Sequence, residues 1–237
     1  MTAASSPRAD AELYPPTPRT VPTRYRARAR YDRATVHGIL DEALICHVGY
    51  LNAGRPLVLP TTHARLGEIL YLHGSTGSGP MLAAAGSPEG LPICVTATLV
   101  DGLVLARAAL HHSLKYRSVV VVGGARLVVD RTEKLRALAA LLDHVASGRS
   151  ADSRPPNTRE LAATAVLALD LVAVSAKVRD GGPVDDEEDT ALPHWAGVVP
   201  LTLTAGTPVP ADDLDPAVPV PSYLTPYRRR CGYEPDP

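Results

Sequence analysis

The hydrophobic positions of the chain follow a helical period in two well-separated segments. In the first, apolar residues recur behind Asp32, a residue type that caps helix N-termini, so we predict a helix from there to about Ile45. In the second, Thr132–Val145, one face is apolar and Gly148 follows the end, which predicts another helix. The two apolar stripes are Val36, Ile39, Leu40, Ala43 and Leu44, then Leu135, Leu138, Leu142 and Val145.

Between these helices the pattern shortens to that of β-strands. Val48–Leu51 and Pro56–Leu59 flank a turn at Ala53-Gly54-Arg55, and Ile69–His73 predicts another short strand. Asp101-Gly102 is a two-residue turn signal. We therefore predict a hairpin that pairs Ile93–Val100 with Leu103–Leu110.

The later strands suggest the fold class. Ser118–Val122 and Ala125–Val129 flank Gly123-Gly124, which indicates a bend within one long strand. Glu160–Ala165 predicts a short helix that leads into the strand Val166–Val174. About seven strands that do not alternate regularly with helices favour a mainly β fold, an antiparallel barrel with peripheral helices.

The two ends of the chain differ in composition from the region between them. Residues 1–23 are rich in Pro, Ala, Ser and Thr and predict a disordered or loosely attached arm, while 205–237 predicts an extended Pro-rich tail. Residues 24–204 are then the folded domain. Asp185–Asp189 is expected to be a solvated acidic loop. Two interpretations stay open for the arginines that begin the domain, a solvated segment or a dock for an anionic ligand or partner: Arg24, Arg26, Arg28, Arg30 and Arg33.

Charge and cysteine content exclude several classes of protein. The 24 Lys and Arg residues balance 25 Asp and Glu residues, which argues against coating of nucleic acid. No apolar run approaches the ~20 residues of a membrane span, and Met1–Pro22 lacks the apolar segment of a signal peptide, so we expect a cytoplasmic protein. Cys46, Cys94 and Cys231 are too dispersed for a zinc site, and we expect the first two to be buried thiols. No metal site is predicted.

The segment from Tyr71 to Pro80 has the composition of a binding loop. It leaves a strand, crosses Gly, Ser and Thr, and reaches Pro80, which favours the first position of a helix. Free backbone amides and hydroxyls in such a strand–loop–helix arrangement can hold a phosphate. The alternative is that the loop is a plain flexible connection. The loop is not a P-loop, because Pro80 stands where that motif requires Lys.

Several motifs together resemble the pyridoxamine 5′-phosphate oxidase-related FMN-binding split barrels, in particular their flavin-nucleotide-binding branch, to which nitroimidazole-resistance proteins are similar. The resemblance spans about residues 24–201 and rests on motifs in the family's order. They are Arg30-Tyr31-Asp32-Arg33, Ile39–Ala43, Cys46–Tyr50, Pro60-Thr61, His63-Ala64-Arg65, Leu70–Ser75, Asp101–Arg107, His111-His112-Ser113, Tyr116–Val120, Ser175–Arg179 and Trp195-Ala196-Gly197.

The resemblance implies a six-stranded split β-barrel that forms a homodimer with FMN at the subunit interface. It implies that His73 is a polar group on the substrate side of the flavin and has a tentative catalytic role. The residues that it places around FMN are Pro60, Thr61 and Thr62 along the ring, Leu72, His73, Gly74, Ser75 and Ser78 along the ribityl chain and phosphate, and Ser113, Lys115, Arg117 and Ser118 from a later strand.

One departure from the family concerns the phosphate. Relatives place Arg or Lys just after the position of Ser78, whereas Gly79, Pro80 and Met81 carry no charge. Arg65, Lys115 or an N-terminal arginine could substitute for that cation, or backbone amides could suffice without one. The remaining alternative is that the protein has lost FMN. The function implied is an FMN-dependent oxidoreductase that acts on a small molecule. The alternatives are a non-catalytic flavin carrier or sensor, and a split barrel that uses deazaflavin or haem.

Overall fold

A computed structural model describes residues 13–224 of the chain. The α-helices of this part are α1 (Arg33–Glu42), α2 (Gly79–Ala85), α3 (Arg131–Val145) and α4 (Thr158–Ala163). Each of them is too short or too polar to cross a lipid bilayer. The strands are β1 (Ala29–Arg30), β2 (Cys46–Asn52), β3 (Arg55–Thr61), β4 (His63–Leu66), β5 (Ile69–Ser75), β6 (Leu91–Leu105), β7 (Ser113–Leu127), β8 (Thr164–Asp170), β9 (Ala173–Arg179) and β10 (Gly197–Pro200).

The strands form a sheet that divides along β7. The main path runs β3-β2-β6-β7-β8-β5-β4, while β9 pairs with β7, β1 with β9 and β10 with β6. The first part of β7, Tyr116–Val122, pairs with β9, whereas Arg126 and Leu127 pair with β8. The change of partner falls at Gly123-Gly124, so the predicted bend is also where the sheet splits. The mainly β fold with peripheral helices is confirmed.

Both helices predicted from periodicity begin at capped positions. The Asp32 carboxylate accepts a hydrogen bond from the Thr35 backbone N–H at 2.8 Å, and Asp130 caps α3 through the Glu133 N–H at 2.7 Å. Helix α1 ends at Glu42 rather than near Ile45. Val36, Ile39 and Leu40 are buried on its predicted apolar face.

The predicted Asp101-Gly102 hairpin is wrong. Strand β6 continues through these residues, and β7 pairs with it on both sides of a register shift between Val100 and Gly102. The Asp-Gly pair therefore forms an irregularity inside a long strand. The free energy of a ladder along the whole of β7 outweighs the local turn preference of two residues.

Two further strand boundaries differ from the sequence pattern. The predicted strand Val166–Val174 is divided by a turn at Leu171-Val172 into the end of β8 and the start of β9. Strand β4, which was not predicted, pairs antiparallel with β5. Both differences have one cause, since short apolar strands separated by tight turns carry no clear break in hydrophobic pattern.

The N-terminal segment is attached to the domain in the part that the structure describes. Residues 1–12 lie outside the described residues, but Tyr14 is only 1% exposed and packs in the core. Its backbone N–H donates to the carbonyl of Tyr31 at 2.8 Å, and its hydroxyl donates to Glu68 at 2.7 Å. The prediction of a disordered arm is therefore wrong from Leu13 onward, because one buried aromatic ring anchors a Pro-rich segment.

Three smaller expectations fall on described residues. Cys46 is buried as predicted, but Cys94 is exposed on the outer face of β6. The Asp185 carboxylate is 3% exposed and accepts from the backbone of Arg107, so this residue of the predicted acidic loop is structural. Residues 205–220 are exposed and form no helix or strand. Cys231 lies outside the described residues.

Gly124 lies at the bend of β7, where the neighbouring backbone leaves little room for a side chain. A Cβ at this position would lie 2.8 Å from the Glu89 carbonyl oxygen, a backbone atom that cannot rotate away. We expect Gly124→Ala to lower the free energy of unfolding by about 2 kcal/mol, measured by urea denaturation. Gly181→Ala is the control, since nothing lies within 4 Å of a Cβ there. Equal stability of the two variants would contradict the close approach.

Candidate functional site

The loop after β5 folds back over the end of that strand. A Cβ on Gly74 would lie 3.3 Å from the Ser78 Oγ and 3.1 Å from the Met81 Cε. Ser78 is the N-cap residue of α2, but its hydroxyl makes no capping hydrogen bond. A larger residue at position 74 would have to push these two side chains aside by a few tenths of an ångström. The side chains of Ser78 and Met81 therefore lie directly over the backbone of β5.

Most of the loop amides are already engaged within the protein. The Thr76 N–H donates to the carbonyl of Ala163 at 3.0 Å. The Gly77 N–H donates to the Ser75 Oγ at 3.3 Å, and the Ser78 N–H donates to the Ser75 carbonyl at 2.9 Å. The prediction of free amides is wrong for these residues, because the Gly- and Ser-rich loop satisfies them with its own turn. Between Ser75 and Ser78, the polar groups left for a ligand are therefore the hydroxyls.

Tyr50 adds a hydroxyl to this loop that sequence reasoning missed. Its ring is buried on β2, and its oxygen lies 3.1 Å from where a Cβ of Gly79 would stand. The alternating burial of β2 places the side chain on the inner face of the strand. That alternation was visible in the sequence, but the contact with α2 depends on the tertiary fold.

The structure brings the residues predicted to lie along the flavin ring next to those predicted to lie along the ribityl chain. Pro60 and Thr61 end β3, and Thr62 alone connects them to β4. His63, the next residue, pairs in register with Leu72 of β5. Antiparallel pairing therefore places the Pro60–Thr62 segment beside the end of β5, where the predicted His73, Gly74 and Ser75 lie.

His73 lies at the surface with its ring open to a ligand. The side chain is exposed, while the preceding Leu72 is buried at 2% exposure. Desolvation by the surrounding protein lowers the pKa of the imidazole. Within residues 13–224, no hydrogen bond engages the ring. The neutral imidazole that prevails at neutral pH can accept a hydrogen bond or ligate a metal.

The predicted cofactor residues of β7, which are Ser113, Lys115, Arg117 and Ser118, lie elsewhere on the same sheet. Pro60, His47, Thr96 and Val120 form one row across β3, β2, β6 and β7, so three strand spacings, about 14 Å, separate β3 from β7. Ser118 lies two residues from that row. Within one chain, Ser113, Lys115, Arg117 and Ser118 are therefore not adjacent to the loop.

Arg117 is occupied by two carboxylates. Its guanidinium donates to Asp101 at 2.9 and 2.7 Å and to Glu42 at 2.6 and 2.9 Å. Hydrogen bonds to Asp101 and then to Glu42 raise the pKa of Arg117. We therefore interpret Arg117 as a structural residue that ties α1 to the irregularity in β6, rather than as a ligand of a phosphate.

Arg65, one candidate for the missing phosphate cation, is also paired. Its guanidinium donates to both oxygens of Asp41, at 2.9 and 2.5 Å, and to the carbonyl of Gly67. This pairing holds the start of the β4–β5 turn against α1. Arg65 therefore does not supply the charge that the loop after Ser78 lacks.

Strand β3 exposes an apolar surface beside the predicted site. It ends the main path of the sheet, and Leu57, Val58 and Leu59 are 39, 64 and 42% exposed. A Cβ on Gly49 would touch a methyl group of Val58, so that side chain lies across β2. Exposed aliphatic residues on both faces of an edge strand are typical of a surface that another molecule covers.

Comparison with known proteins identifies relatives along most of the chain. The flavocytochrome Anf3 from Azotobacter vinelandii is 40% identical over 91% of this chain and 99% of its own, with a TM-score of 0.83. The FAD and heme binding protein from Mycobacterium smegmatis is 36% identical over 84% of this chain and 96% of its own, with a TM-score of 0.77. A putative 5-nitroimidazole antibiotic resistance protein from Bacteroides thetaiotaomicron shares the fold at 22% identity, over 63% of this chain and 86% of its own, with a TM-score of 0.53.

The family is shown at the sequence level as well. Comparison with curated proteins gives no match. The sequence model of the pyridoxamine 5′-phosphate oxidase family matches residues 32–178, which includes α1, the β2–β3 hairpin, the β5 loop and most of β9. The chain belongs to the pyridoxamine 5′-phosphate oxidase family of split-barrel proteins.

Proposed function

We propose that this protein binds a flavin nucleotide and transfers electrons to or from a small molecule. The observation that carries the proposal is the 40% identity to a flavocytochrome over nearly the whole of both chains. The site adds chemical support, because it combines a hydroxyl-rich loop with an exposed apolar strand. A flavin nucleotide has a flat apolar ring and a polar ribityl phosphate chain, which need those two surfaces.

The described residues fit the ribityl part of such a cofactor. Ser75 and Ser78 present hydroxyls on a loop held over Gly74, and Tyr50 adds a third hydroxyl beside α2. Pro60–Thr62 would lie along the ring through their backbone, as the family resemblance implies. A bound flavin supplies the hydride and electron chemistry, so the protein needs to bind and orient it without a general acid or base.

FMN is the nucleotide that the family resemblance implies for this chain. The name of the M. smegmatis relative specifies FAD and haem. Denaturing the purified protein and identifying the released molecule by chromatography and mass distinguishes FMN, FAD and a deazaflavin. Steady turnover with a nicotinamide donor supports an oxidoreductase, whereas a single reduction without turnover supports a carrier or sensor.

Haem is a second cofactor that specific observations favour. One relative is described as a flavocytochrome and another as binding haem. A histidine that ligates haem iron must be neutral and must have a ring nitrogen that no protein group uses. His73 fits this donor chemistry, since it is exposed, has a lowered pKa and makes no hydrogen bond within the described residues. A Soret band in the absorption spectrum of the purified protein tests this second candidate.

A homodimer with the cofactor at its interface completes the proposal. Two observations support it, the exposed apolar surface of β3 and the distance between the loop and the β7 residues within one chain. A two-fold partner can bring its own β7 to the loop, since a two-fold interface joins the same surface of both subunits. A cytoplasmic location stays a prediction from the sequence.

The test of flavin binding removes the hydroxyls of the loop. We expect the double variant Ser75→Ala/Ser78→Ala to bind flavin at least about tenfold more weakly, because it loses two hydrogen bonds to the cofactor. Fluorescence titration of the apoprotein measures the affinity. Thr202→Ala/Thr204→Ala is the control, since these exposed hydroxyls lie on the extended segment after β10. Equal affinity in both double variants would contradict the assignment of the loop.

A further inference from the structure

A group of cationic side chains surrounds one exposed tyrosine at the β1–β9 edge. The guanidinium carbon of Arg28 lies 4.2 Å from the centre of the Tyr25 ring, and that of Arg24 lies 5.4 Å from it. The Nζ of Lys177 lies 5.8 Å from the same centre. Three positive charges therefore converge on one ring, an arrangement that we call the Tyr25 cluster.

Arg179 extends the cluster along β9. It lies two residues after Lys177, on the same face of the strand, and pairs in register with Tyr116. Its guanidinium donates to the carbonyl of Leu114 at 3.1 Å, which holds it against β7. Burial and then the charge of Arg28 lower the pKa of Arg179, so the two guanidinium groups are close enough to repel each other.

The backbone holds the cluster in place. Strand β1 pairs with β9 so that Ala29 lies opposite Lys177, which brings the Arg24–Arg28 segment to the edge of β9. Tyr25 has a φ of 55°, in the left-handed region that residues other than glycine seldom adopt. That conformation turns the chain immediately before the short helix Arg26–Arg28. The charges are therefore fixed by the fold and do not lie on a loose arm.

Within the described residues, no carboxylate pairs with a cation of the cluster, which comprises Arg24, Arg28, Lys177 and Arg179. The same is true of isolated arginines such as Arg55, so what distinguishes the cluster is that its cations lie together. Arg33, Arg65, Arg107, Arg117, Arg126, Arg149 and Arg154 each form an ion pair with Asp or Glu. Like charges held together without a counter-charge cost free energy, which an anion bound between them recovers.

We propose that the Tyr25 cluster binds the phosphate end of a nucleotide ligand. Guanidinium and ammonium groups are the usual protein partners of phosphate oxygens, and four cations suit a group that carries two negative charges. The cluster is continuous with a predicted cofactor residue, since Lys177 lies opposite Ser118. This assignment rests on the proposed function in one respect, that the nucleotide is the flavin. In the proposed homodimer, the cluster of one subunit would supply the positive charge that the loop after Ser78 of the other subunit lacks.

The test compares ligands that differ only in phosphate. Affinities of FMN, FAD and riboflavin are measured by fluorescence titration, and that of inorganic pyrophosphate by calorimetry. The variant is Arg28→Gln/Lys177→Gln, because neither side chain donates a hydrogen bond that the fold uses within the described residues. Arg55→Gln, which removes an exposed cation at the β2–β3 turn, is the control, and circular dichroism verifies folding.

The expected result is a loss of affinity confined to phosphorylated ligands. FMN and FAD should bind the double variant about tenfold or more weakly, while riboflavin binds as before. Unchanged FMN and FAD affinities in a protein that binds them would overturn the cluster assignment and leave the proposed function standing. If the protein binds no flavin, pyrophosphate binding that the variant loses supports an anion site for another phosphorylated ligand. If neither binds, the assignment is wrong.

Discussion

Replacing Arg117 by methionine is expected to lower the free energy of unfolding by about 3 kcal/mol. The side chains of Arg117, Glu42 and Asp101 are 12, 10 and 19% exposed, so the substitution leaves two largely buried carboxylates without their cation. Breaking a buried ion pair by removing one partner costs several kcal/mol, because the remaining charge stays desolvated. Methionine preserves much of the packing of the arginine stem. Urea denaturation measures the change.

The control for this prediction is a second arginine with a similar fork geometry. Arg65 donates to both oxygens of Asp41, but that carboxylate is 47% exposed and can be solvated when the cation is removed. Arg65→Met should therefore cost less than about 1 kcal/mol. A loss of similar size in both variants would show that burial does not determine the contribution of the Arg117 network.

Replacing Val58 by glutamate is expected to dissociate the proposed homodimer into monomers and to weaken flavin binding. Val58 is 64% exposed in a single chain, so a glutamate there leaves the fold of the subunit intact. In a two-fold interface the change places two carboxylates in an apolar surface. The resulting desolvation cost should raise the dimer dissociation constant about a hundredfold or more, which corresponds to about 3 kcal/mol. Sedimentation velocity measures the oligomeric state, and flavin content is measured on the same samples.

Val172→Glu is the matched control for the interface. Val172 is 66% exposed and lies in the turn between β8 and β9, away from β3. This variant should keep the wild-type oligomeric state and flavin content. A dimer that survives Val58→Glu, or one that both variants disrupt equally, would contradict the assignment of β3 to the interface.

Much of the fold was predictable from local signals. Asp32 and the apolar stripe behind it determine where α1 begins, because the cap satisfies the first free N–H groups and the stripe needs a core. Gly123-Gly124 likewise marks the bend of β7, since neither residue has a side chain that would oppose it. For the candidate site, the sequence indicated the loop after β5 and its hydroxyls.

The rest of the site depends on residues far apart in the chain. The sequence could not show that Arg117 is held by Glu42 and Asp101, since those partners are 75 and 16 residues away. The same holds for the cluster at Tyr25, which is created by the pairing of β1 with β9. Ion pairs and cation clusters are properties of a surface, and the surface exists only once distant strands are paired.

Local sequence determined the helices, the strands and the chemical character of the loop, because caps, period and glycine act within a few residues. Only the tertiary structure decided that Asp101-Gly102 continues a strand, that Tyr14 fixes the N-terminal segment, and which arginines keep their charge available. The physical reason is the same in each case. Pairing and burial across the sheet involve more free energy than any two-residue preference, so they override local signals where the two disagree.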